Sequence, residues 1–534
     1  MSFNTILIQL VGLSCLLIIL RAVSIPRGWV IVSGLILSVL AGSYWLAPDW
    51  AGLISGGLWG LFIIIPCLGL AWINRLVAQE KFSQARKLAT CLRWLHPADG
   101  LLDYPDFLHA LEVGHQGHTE EAQKIFRRCR KTLSSSRLAT ALIYRLEGRW
   151  DDLLKWIQDN FSEKTILNHS SLGIHYLRAL GETGDLNGLL QMLDHFRGNA
   201  ERQFNQTSIN LVRLFALAFC GQVESVRRLC KGPLASYSPA IHEFWLATAE
   251  LAAGNEAAAQ KKLLALREHV DAARRHAIDW RLSHRQVNPE PSLTHESQEI
   301  LHRLKRTIQQ EAQYDLSQGI WSRKVFAVWG LIGVNVLVFI LQVFSSGSQD
   351  LDNLDNLYRL GGLAPSAVLR GEWWRLLSST FLHAGFLHLL LNMLALYFLG
   401  AFLETTLGAR RLLLAYFFSG VSSMLTITIL AFVMQAPNQL VVGASGAIMG
   451  LLGVVGALLL DGWRREKSRI AIRRLQFIVW VVGFQVVFDL ATPEVSFLGH
   501  ITGLIWGFLL GGFLTNQRYA RGSKQLGHKS IKRP

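Results

Sequence analysis

Nine apolar runs, each close to the length that crosses a bilayer, restrict the fold of this 534-residue chain more than any other feature. A helix needs about 20 mostly apolar residues to span the hydrocarbon core, and it satisfies its own backbone hydrogen bonds there. The runs are 3–20, 29–47, 53–73, 325–344, 382–402, 412–433, 443–460, 475–490 and 498–515. They predict an all-α, polytopic membrane protein with a long, mostly polar segment between two groups of helices.

The net charge of +15 is placed where membrane topology explains it. Lys and Arg outnumber the acids in the 461–474 loop and in the tail after residue 515, and such positive charge marks the cytoplasmic side. The same rule puts the acidic 346–380 loop outside and the central polar segment inside. We therefore expect an integral multi-pass protein of a bacterial plasma membrane, in contact with the lipid bilayer and without a nucleic-acid partner.

Five glycines recur at a regular spacing in the central segment, each between two amphipathic helical patterns: Gly117, Gly148, Gly184, Gly221 and Gly254. The spacing averages about 34 residues, the period of helix-turn-helix tetratricopeptide arrays. We interpret residues 76–290 as cytoplasmic tetratricopeptide-like helical repeats, whose concave face would bind a peptide or protein partner. A purely structural helical spacer is the alternative.

The sequence predicts neither a metal site nor a cofactor. The six cysteines include no Cys-x-x-Cys pair, so we expect reduced thiols. Four histidines in the repeats lack acidic or thiol partners at ligand spacing, and we expect them in solvent or on helix faces: His115, His118, His169 and His175.

Three apolar runs of the C-terminal group carry polar residues near the same predicted external face, and polar groups inside a bilayer are costly. Ser445 opens one helix in "VVGASGAIMG". His388 and Asn392 lie one turn apart in "FLHAGFLHLLLN". His500 starts the last helix in "FLGHITGLIWG". Serine packing, interfacial histidine and interhelical asparagine explain each group alone, but their joint occurrence at one depth favours a reactive site.

Peptide hydrolysis needs a nucleophile, a base and donors for the oxyanion. A neutral His500 imidazole within reach of the Ser445 hydroxyl would serve as the base. Small residues at i, i+4 spacing would let the two helices approach closely. These residues are Gly446, Gly450, Gly453, Gly503, Gly507 and Gly511. His388 and Asn392 would donate hydrogen bonds to the oxyanion together with the Ser445 backbone N–H.

The segment of about 320–515 resembles the rhomboid family of intramembrane proteases. The matching motifs are Trp374-Arg375, His388-x-x-x-Asn392, Gly400-x-x-x-Glu404-x-x-x-Gly408, Gly443-Ala-Ser445-Gly446 and Gly499-His500-x-x-Gly503-x-x-x-Gly507. The resemblance implies a Ser–His catalytic dyad with no aspartate, an oxyanion site at the His and Asn of the second motif, and His383 near the site. It also implies flanking roles for Gly443 and Gly446, and structural roles for five further residues: Trp374, Arg375, Glu404, Gly503 and Gly507.

The implied reaction is cleavage of a transmembrane protein substrate near its external end through an acyl-enzyme. The expected organisation is three transmembrane helices (1–75), the repeats (76–290), a helical linker (291–320), the rhomboid domain (321–515) and a basic cytoplasmic tail (516–534). Two other readings stay open. One is a non-catalytic membrane scaffold that recruits partners through the repeats. The other is a transporter, which we disfavour because the sequence shows neither a buried acid nor an inverted repeat.

Overall fold

The structure of the protein is a computed structural model in which almost every described residue belongs to a helix, a turn or a short loop. The described residues are 3–20, 22, 25–96, 101–128, 133–203, 206–284, 292–313, 325–346, 353–435, 439–492 and 496–530. Within them, strand pairing is limited to an isolated antiparallel bridge between Leu363 and Val441. The chain divides into two compact units, residues 1–309 and 310–534. The predicted domain boundaries at 290/291 and 320/321 and the acids Asp350 and Asp352 lie outside the described residues.

The first unit begins with apolar helices. They are α1 (Phe3–Leu20), α2 (Arg27–Leu46), α3 (Ala51–Trp59), a π-helical turn (Gly60–Ile64) and α4 (Ile65–Ala78). By length and composition, Arg27–Leu46 and the continuous stretch Ala51–Ala78 can cross a membrane, and α1 contains the shorter apolar stretch Leu7–Leu20. The end of α4 packs into the core of the helices that follow, through Ile73 and Leu76. The predicted boundary at 75/76 therefore falls inside a helix.

Paired helices make up the rest of the first unit. They are α5 (Phe82–Leu92), α6 (Tyr104–His115), α7 (Thr119–Arg128), α8 (Leu133–Leu146), α9 (Trp150–Asn160), α10 (Glu163–Asn168), α11 (Ser170–Thr183), α12 (Leu186–Gln203), α13 (Gln206–Phe219), α14 (Val223–Lys231), α15 (Pro239–Ala252), α16 (Glu256–Arg267), α17 (Ala272–Ser283) and α18 (His295–Gln313). All five glycines of the sequence period lie between the two helices of a pair, each with a φ between 67° and 98°. Only glycine enters that left-handed region at no steric cost, so the period marks real turns. The assignment to a tetratricopeptide-like array remains a prediction.

Helix α17 lies against the first helices of several pairs, the helices that would line a concave face. Three pairs of side chains hold it there: His115 with Asp271, Glu80 with Arg274, and Glu182 with Arg281. The Arg281 guanidinium also stacks over Phe219 on α13, 4.7 Å from the ring centre. These contacts tie α17 and its N-cap to α6, α11 and α13.

The second unit carries the remaining helices. They are α19 (Phe326–Ser346), α20 (Leu354–Arg359), α21 (Pro365–Leu369), α22 (Arg375–Ser378), α23 (Phe386–Leu407), α24 (Ala409–Val433), α25 (Ser445–Glu466), α26 (Arg469–Ala491) and α27 (Phe497–Ser530). Six of these are long and apolar enough to span a membrane, as predicted for this part of the chain: α19, α23, α24, α25, α26 and α27. Helix α25 is the most buried of them, with 78% of its span enclosed by the others. Near its start, Ala444 and Ala447 are fully buried.

Candidate active site

Helices α25 and α27 pack with their backbones in direct contact. A methyl group built on Gly503 would overlap the Gly446 carbonyl, and one on Gly507 would overlap the Gly450 carbonyl. Because these overlaps involve backbone atoms, a side chain at either position would force the helices apart. The close approach expected from the glycine spacing is present, and it brings the start of α25 beside the start of α27.

Ser445 is the first residue of α25, where the backbone N–H groups have no partner within the helix. The preceding turn requires glycine, because Gly443 has a φ of 130°. A Cβ at Gly443 would lie 3.1 Å from His388 Nε2 and 3.6 Å from Ser445 Oγ. The Gly443 N–H also donates to the Ser379 carbonyl at 2.9 Å, which fixes the turn against the preceding loop. The hydroxyl of Ser445 and the ring of His388 therefore flank the same glycine.

His500, near the start of α27, is nearly buried and is hydrogen-bonded through its Nδ1. That nitrogen lies 2.8 Å from Asp489 Oδ2 and 3.3 Å from Gln485 Nε2, both on α26. Among the hydrogen bonds of the described residues there is none between His500 and Ser445. Hydrogen bonds between a nucleophile and its base are often long before substrate binds, so this geometry does not exclude the pair.

Asp489 bears on two expectations drawn from the sequence. The resemblance implied a Ser–His catalytic dyad with no aspartate, and a transporter was disfavoured partly because no buried acid was apparent. Asp489 is 4% exposed and contacts His500 directly. The available signal was a lone carboxylate inside the apolar run 475–490, because an ionisable residue within a membrane span is by itself a functional hypothesis.

His383, His388 and Asn392 form the other wall of the site. The rings of His383 and His388 meet edge to face with 5.2 Å between their centres. His383 is fully buried, and its backbone exchanges hydrogen bonds of 2.7 and 3.2 Å with the Gln342 side chain on α19. His388 is also close enough to His500 for their charges to interact.

Asn392 lies one turn after His388 on α23 and is 7% exposed. Its Nδ2 is buried without a hydrogen-bond partner among the described residues. Leaving a buried amide donor unpaired costs about 1–3 kcal/mol, so such a group in a folded protein calls for an explanation. A donor reserved for a substrate oxygen is one.

The residues given structural roles by the resemblance have identifiable partners. Arg375 is buried, and its Nη1 donates to the Tyr358 and Gly362 carbonyls at 2.6 and 2.9 Å. Trp374 is half-exposed, and the Arg375 guanidinium lies 4.8 Å from its ring centre. Arg375 therefore holds the loop that precedes α23.

Glu404 caps a neighbouring helix. Its carboxylate accepts the Ala327 and Val328 backbone N–H groups at 3.0 and 2.9 Å, at the start of α19. An acid at a helix N-terminus satisfies otherwise unpaired donors and is favoured by the helix dipole.

A second polar cluster lies in the first unit. Glu80, His115 and Asp271 each offer one ligand atom, all within 4.8 Å of one another. The guanidinium of Arg274 already contacts Glu80, and the Ser238 hydroxyl donates to the same carboxylate at 3.0 Å. The positive charge in this cluster is therefore supplied by the chain, and the donor set does not favour a metal ion.

Two of the four repeat histidines are buried, in contrast to the expectation of solvent or helix-face positions. His115 is 8% exposed and His175 is 5% exposed. Desolvation, together with Arg145 and Arg178, holds the pKa of His175 well below its usual range. Burial likewise lowers the pKa of Arg178 to about 9. Sequence spacing could not reveal the contact of His115 with Asp271, because the two residues are 156 positions apart in the chain.

Comparisons with known proteins identify a family and several relatives that this chain resembles. A family model described as the Rhomboid domain matches residues 370–517. YdcA of Bacillus subtilis, which carries the provisional name of a rhomboid protease, is 37% identical over 154 residues, 29% of this chain and 73% of YdcA. The rhomboid protease GluP of the same organism is 32% identical over 213 residues, 40% of this chain and 39% of GluP. The chain thus matches about two fifths of the length of GluP.

A plant protein named as inactive is also similar. The inactive RHOMBOID-like protein 8 of Arabidopsis thaliana is 31% identical over 168 residues, 31% of this chain and 46% of that protein. Relatives at about the same sequence identity are thus named both as proteases and as inactive proteins.

Proposed function

This chain belongs to the rhomboid family, and on that premise we propose that it is an intramembrane serine endopeptidase. Ser445 is the nucleophile and His500 is the general base. The substrates are transmembrane proteins, cut near the external membrane face. The observation that carries the proposal is the backbone contact between α25 and α27 at Gly446 and Gly503, which brings the serine and the histidine to the same end of two adjacent helices.

The reaction follows from the groups at that end of the bundle. His500 takes the Ser445 proton as Oγ attacks the scissile carbonyl, and the carbonyl oxygen becomes an oxyanion. The Ser445 N–H, His388 and Asn392 donate hydrogen bonds to that oxygen. His500 then gives the proton to the leaving amine, and water hydrolyses the acyl-enzyme by the same route in reverse.

The protein is an integral multi-pass membrane protein, and we infer that it lies in a bacterial plasma membrane with the paired helices of the first unit in the cytoplasm. In that topology the repeats cannot reach the scissile bond. A peptide or protein partner would bind a surface that α17 leaves free, or would displace α17. Cys91 on α5 is exposed, so a chain with Cys91 as its sole cysteine reports the topology. An impermeant maleimide should label it only after lysis, and labelling of intact cells would invert the scheme.

The direct test is cleavage of a generic transmembrane substrate by the purified full chain. Ser445→Ala should lower the rate by more than about 10³-fold, because the nucleophile is lost. The matched control is Ser419→Ala, which removes another buried hydroxyl of the same bundle, one that has no hydrogen-bond partner among the described residues. It should cleave at the parent rate. Equal cleavage by the parent and Ser445→Ala would reject the proposal.

The second candidate function is a non-catalytic membrane scaffold, and the similarity to a relative named as inactive favours it. The two candidates differ in whether Ser445 is reactive. A fluorophosphonate probe should label the parent chain and not Ser445→Ala if the protein is a peptidase. If the parent chain is neither labelled nor able to cleave, the scaffold is the function that remains.

A further inference from the structure

Asp489 is buried on the least enclosed of the candidate spans. Only 11% of the α26 span is enclosed by other helices, the lowest value among the candidate spans of the described residues. Yet the Asp489 side chain is 1% exposed. Its two oxygens are both used: Oδ2 on His500 Nδ1 at 2.8 Å, and Oδ1 on Gln485 Nε2 at 2.8 Å.

We propose that Asp489 is a positioning residue, whose carboxylate holds the His500 ring with its proton on Nδ1 and leaves Nε2 to take the proton of Ser445. The proposal rests on the peptidase function above and adds a third member to the Ser–His pair.

The chemistry of the two groups sets the tautomer. A neutral imidazole carries one N–H, and the hydrogen bond made by one ring nitrogen decides which nitrogen keeps the proton. An ionised carboxylate only accepts hydrogen bonds, so the nitrogen beside Asp489 must be the donor. The other nitrogen is then an unprotonated base, which is the state that a serine nucleophile needs.

Gln485 makes the arrangement directional. It lies one helical turn before Asp489, and its amide N–H groups can only donate. By donating to Oδ1 it fixes the carboxylate plane and leaves Oδ2 for the imidazole. Its 3.3 Å approach to His500 Nδ1 is then not a hydrogen bond, because both nitrogens are donors. The titratable groups that face His500 are Asp489 from α26 and His388 from α23.

A purely structural role would look different. If the contact only tied α26 to α27, its loss would loosen the helix and change stability or substrate binding, without a selective fall in kcat. A positioning role predicts a fall in kcat at nearly constant KM, and a defined tautomer in the parent chain.

The test combines kinetics with nitrogen NMR on the full chain in detergent. Asp489→Asn is isosteric, and it should lower kcat by roughly 10²-fold with little change in KM, the size of a lost acid–base contribution. The control is Asp461→Asn, which removes an acid that pairs with Arg465 on α25. It should leave both constants unchanged. ¹⁵N-histidine spectra should show the His500 proton on Nδ1 in the parent, assigned by its absence in His500→Gln.

The two readouts separate the hypotheses. A cleaving parent whose kcat is unchanged in Asp489→Asn, or whose His500 proton lies on Nε2, would overturn the positioning role and leave the peptidase intact. A parent that does not cleave would overturn the proposed function instead. A His500 proton on Nε2, measured on the parent alone, would overturn the role of Asp489 even if the Asn variant does not fold.

Discussion

Among the described residues, each unit holds one histidine–aspartate pair with a similar Nδ1–Oδ2 contact; Asp489 is buried and Asp271 is partly exposed. His115 Nδ1 lies 3.0 Å from Asp271 Oδ2, and His500 Nδ1 lies 2.8 Å from Asp489 Oδ2. Their surroundings differ. Asp271 also caps α17 by accepting the Arg274 N–H at 2.8 Å, and the His115 ring packs on Phe82.

The second pair belongs to a site that also contains buried polar groups without hydrogen-bond partners. Asn392 Nδ2 and His383 Nε2 are buried without partners among the described residues, and Ser445 opens a helix next to them. The pair itself therefore does not distinguish structure from catalysis. The difference is whether neighbouring donors and a nucleophile remain available to a substrate.

The largest expected effect comes from removing each histidine in turn. His500→Ala should reduce cleavage by more than about 10³-fold, because no base remains for Ser445. His115→Ala should cleave at the parent rate while amide hydrogen exchange in α17 accelerates. Cleavage by purified full chains and exchange by mass spectrometry measure the two effects. An active His500→Ala chain, or an inactive but folded His115→Ala chain, would break the comparison.

The next effect concerns the contact that brings the active-site helices together. Gly507→Ala places a methyl group against the Gly450 carbonyl, which cannot move without separating α25 from α27. Overpacking of this kind costs about 1–3 kcal/mol, so the midpoint of thermal unfolding in detergent should fall.

Gly512→Ala on the same helix is the matched control, because nothing lies within 4 Å of its added methyl group. It should be neutral or stabilising, since alanine is the better helix former by up to about 1 kcal/mol. Equal midpoints for the two variants would show that the backbone contact is not required.

A smaller effect on turnover is expected at the unused donors. Asn392→Ala should lower kcat by roughly 10²-fold with KM unchanged, because an oxyanion donor acts in the transition state. Its thermal stability should not fall, since the substitution removes an unpaired buried amide. A raised KM at constant kcat would instead make Asn392 a substrate-binding contact.

The sequence predicted what depends on local chemistry. The turn glycines of the first unit were found because a positive φ restricts residue choice, and the six helices of the second unit because a bilayer restricts length. The ion pair that joins α17 to the turn after α4 was not predicted, because Glu80 and Arg274 are far apart in the chain and follow no period. The contact of Asp489 with His500 was not predicted because the resemblance implied a dyad without an aspartate, and the contact joins two different helices.

The smallest expected effect sharpens the structural half of the comparison. Burial alone would raise the pKa of Asp271, but the hydrogen bond and charge of His115, together with the Arg274 backbone, lower it below 3.8. A lowered pKa in the folded state stabilises the protein above the unfolded value of 3.8, and that contribution disappears as the pH falls through the folded pKa. Protection of α17 against hydrogen exchange, corrected for the intrinsic rate, should therefore decrease below about pH 4 in the parent.

Asp271→Asn keeps the helix cap, because asparagine caps as well as aspartate, and loses the charge together with the oxygen that lies beside His115 Nδ1. It should cost roughly 0.2–1 kcal/mol at neutral pH, the usual value of a partly exposed ion pair, and should flatten the acid dependence. Cleavage by this variant should equal that of the parent. Asp489→Asn should instead lower cleavage and leave the acid dependence of α17 protection unchanged. An Asp271→Asn chain with the parent's acid dependence would show that other carboxylates hold α17, and the first pair would then lose its structural role.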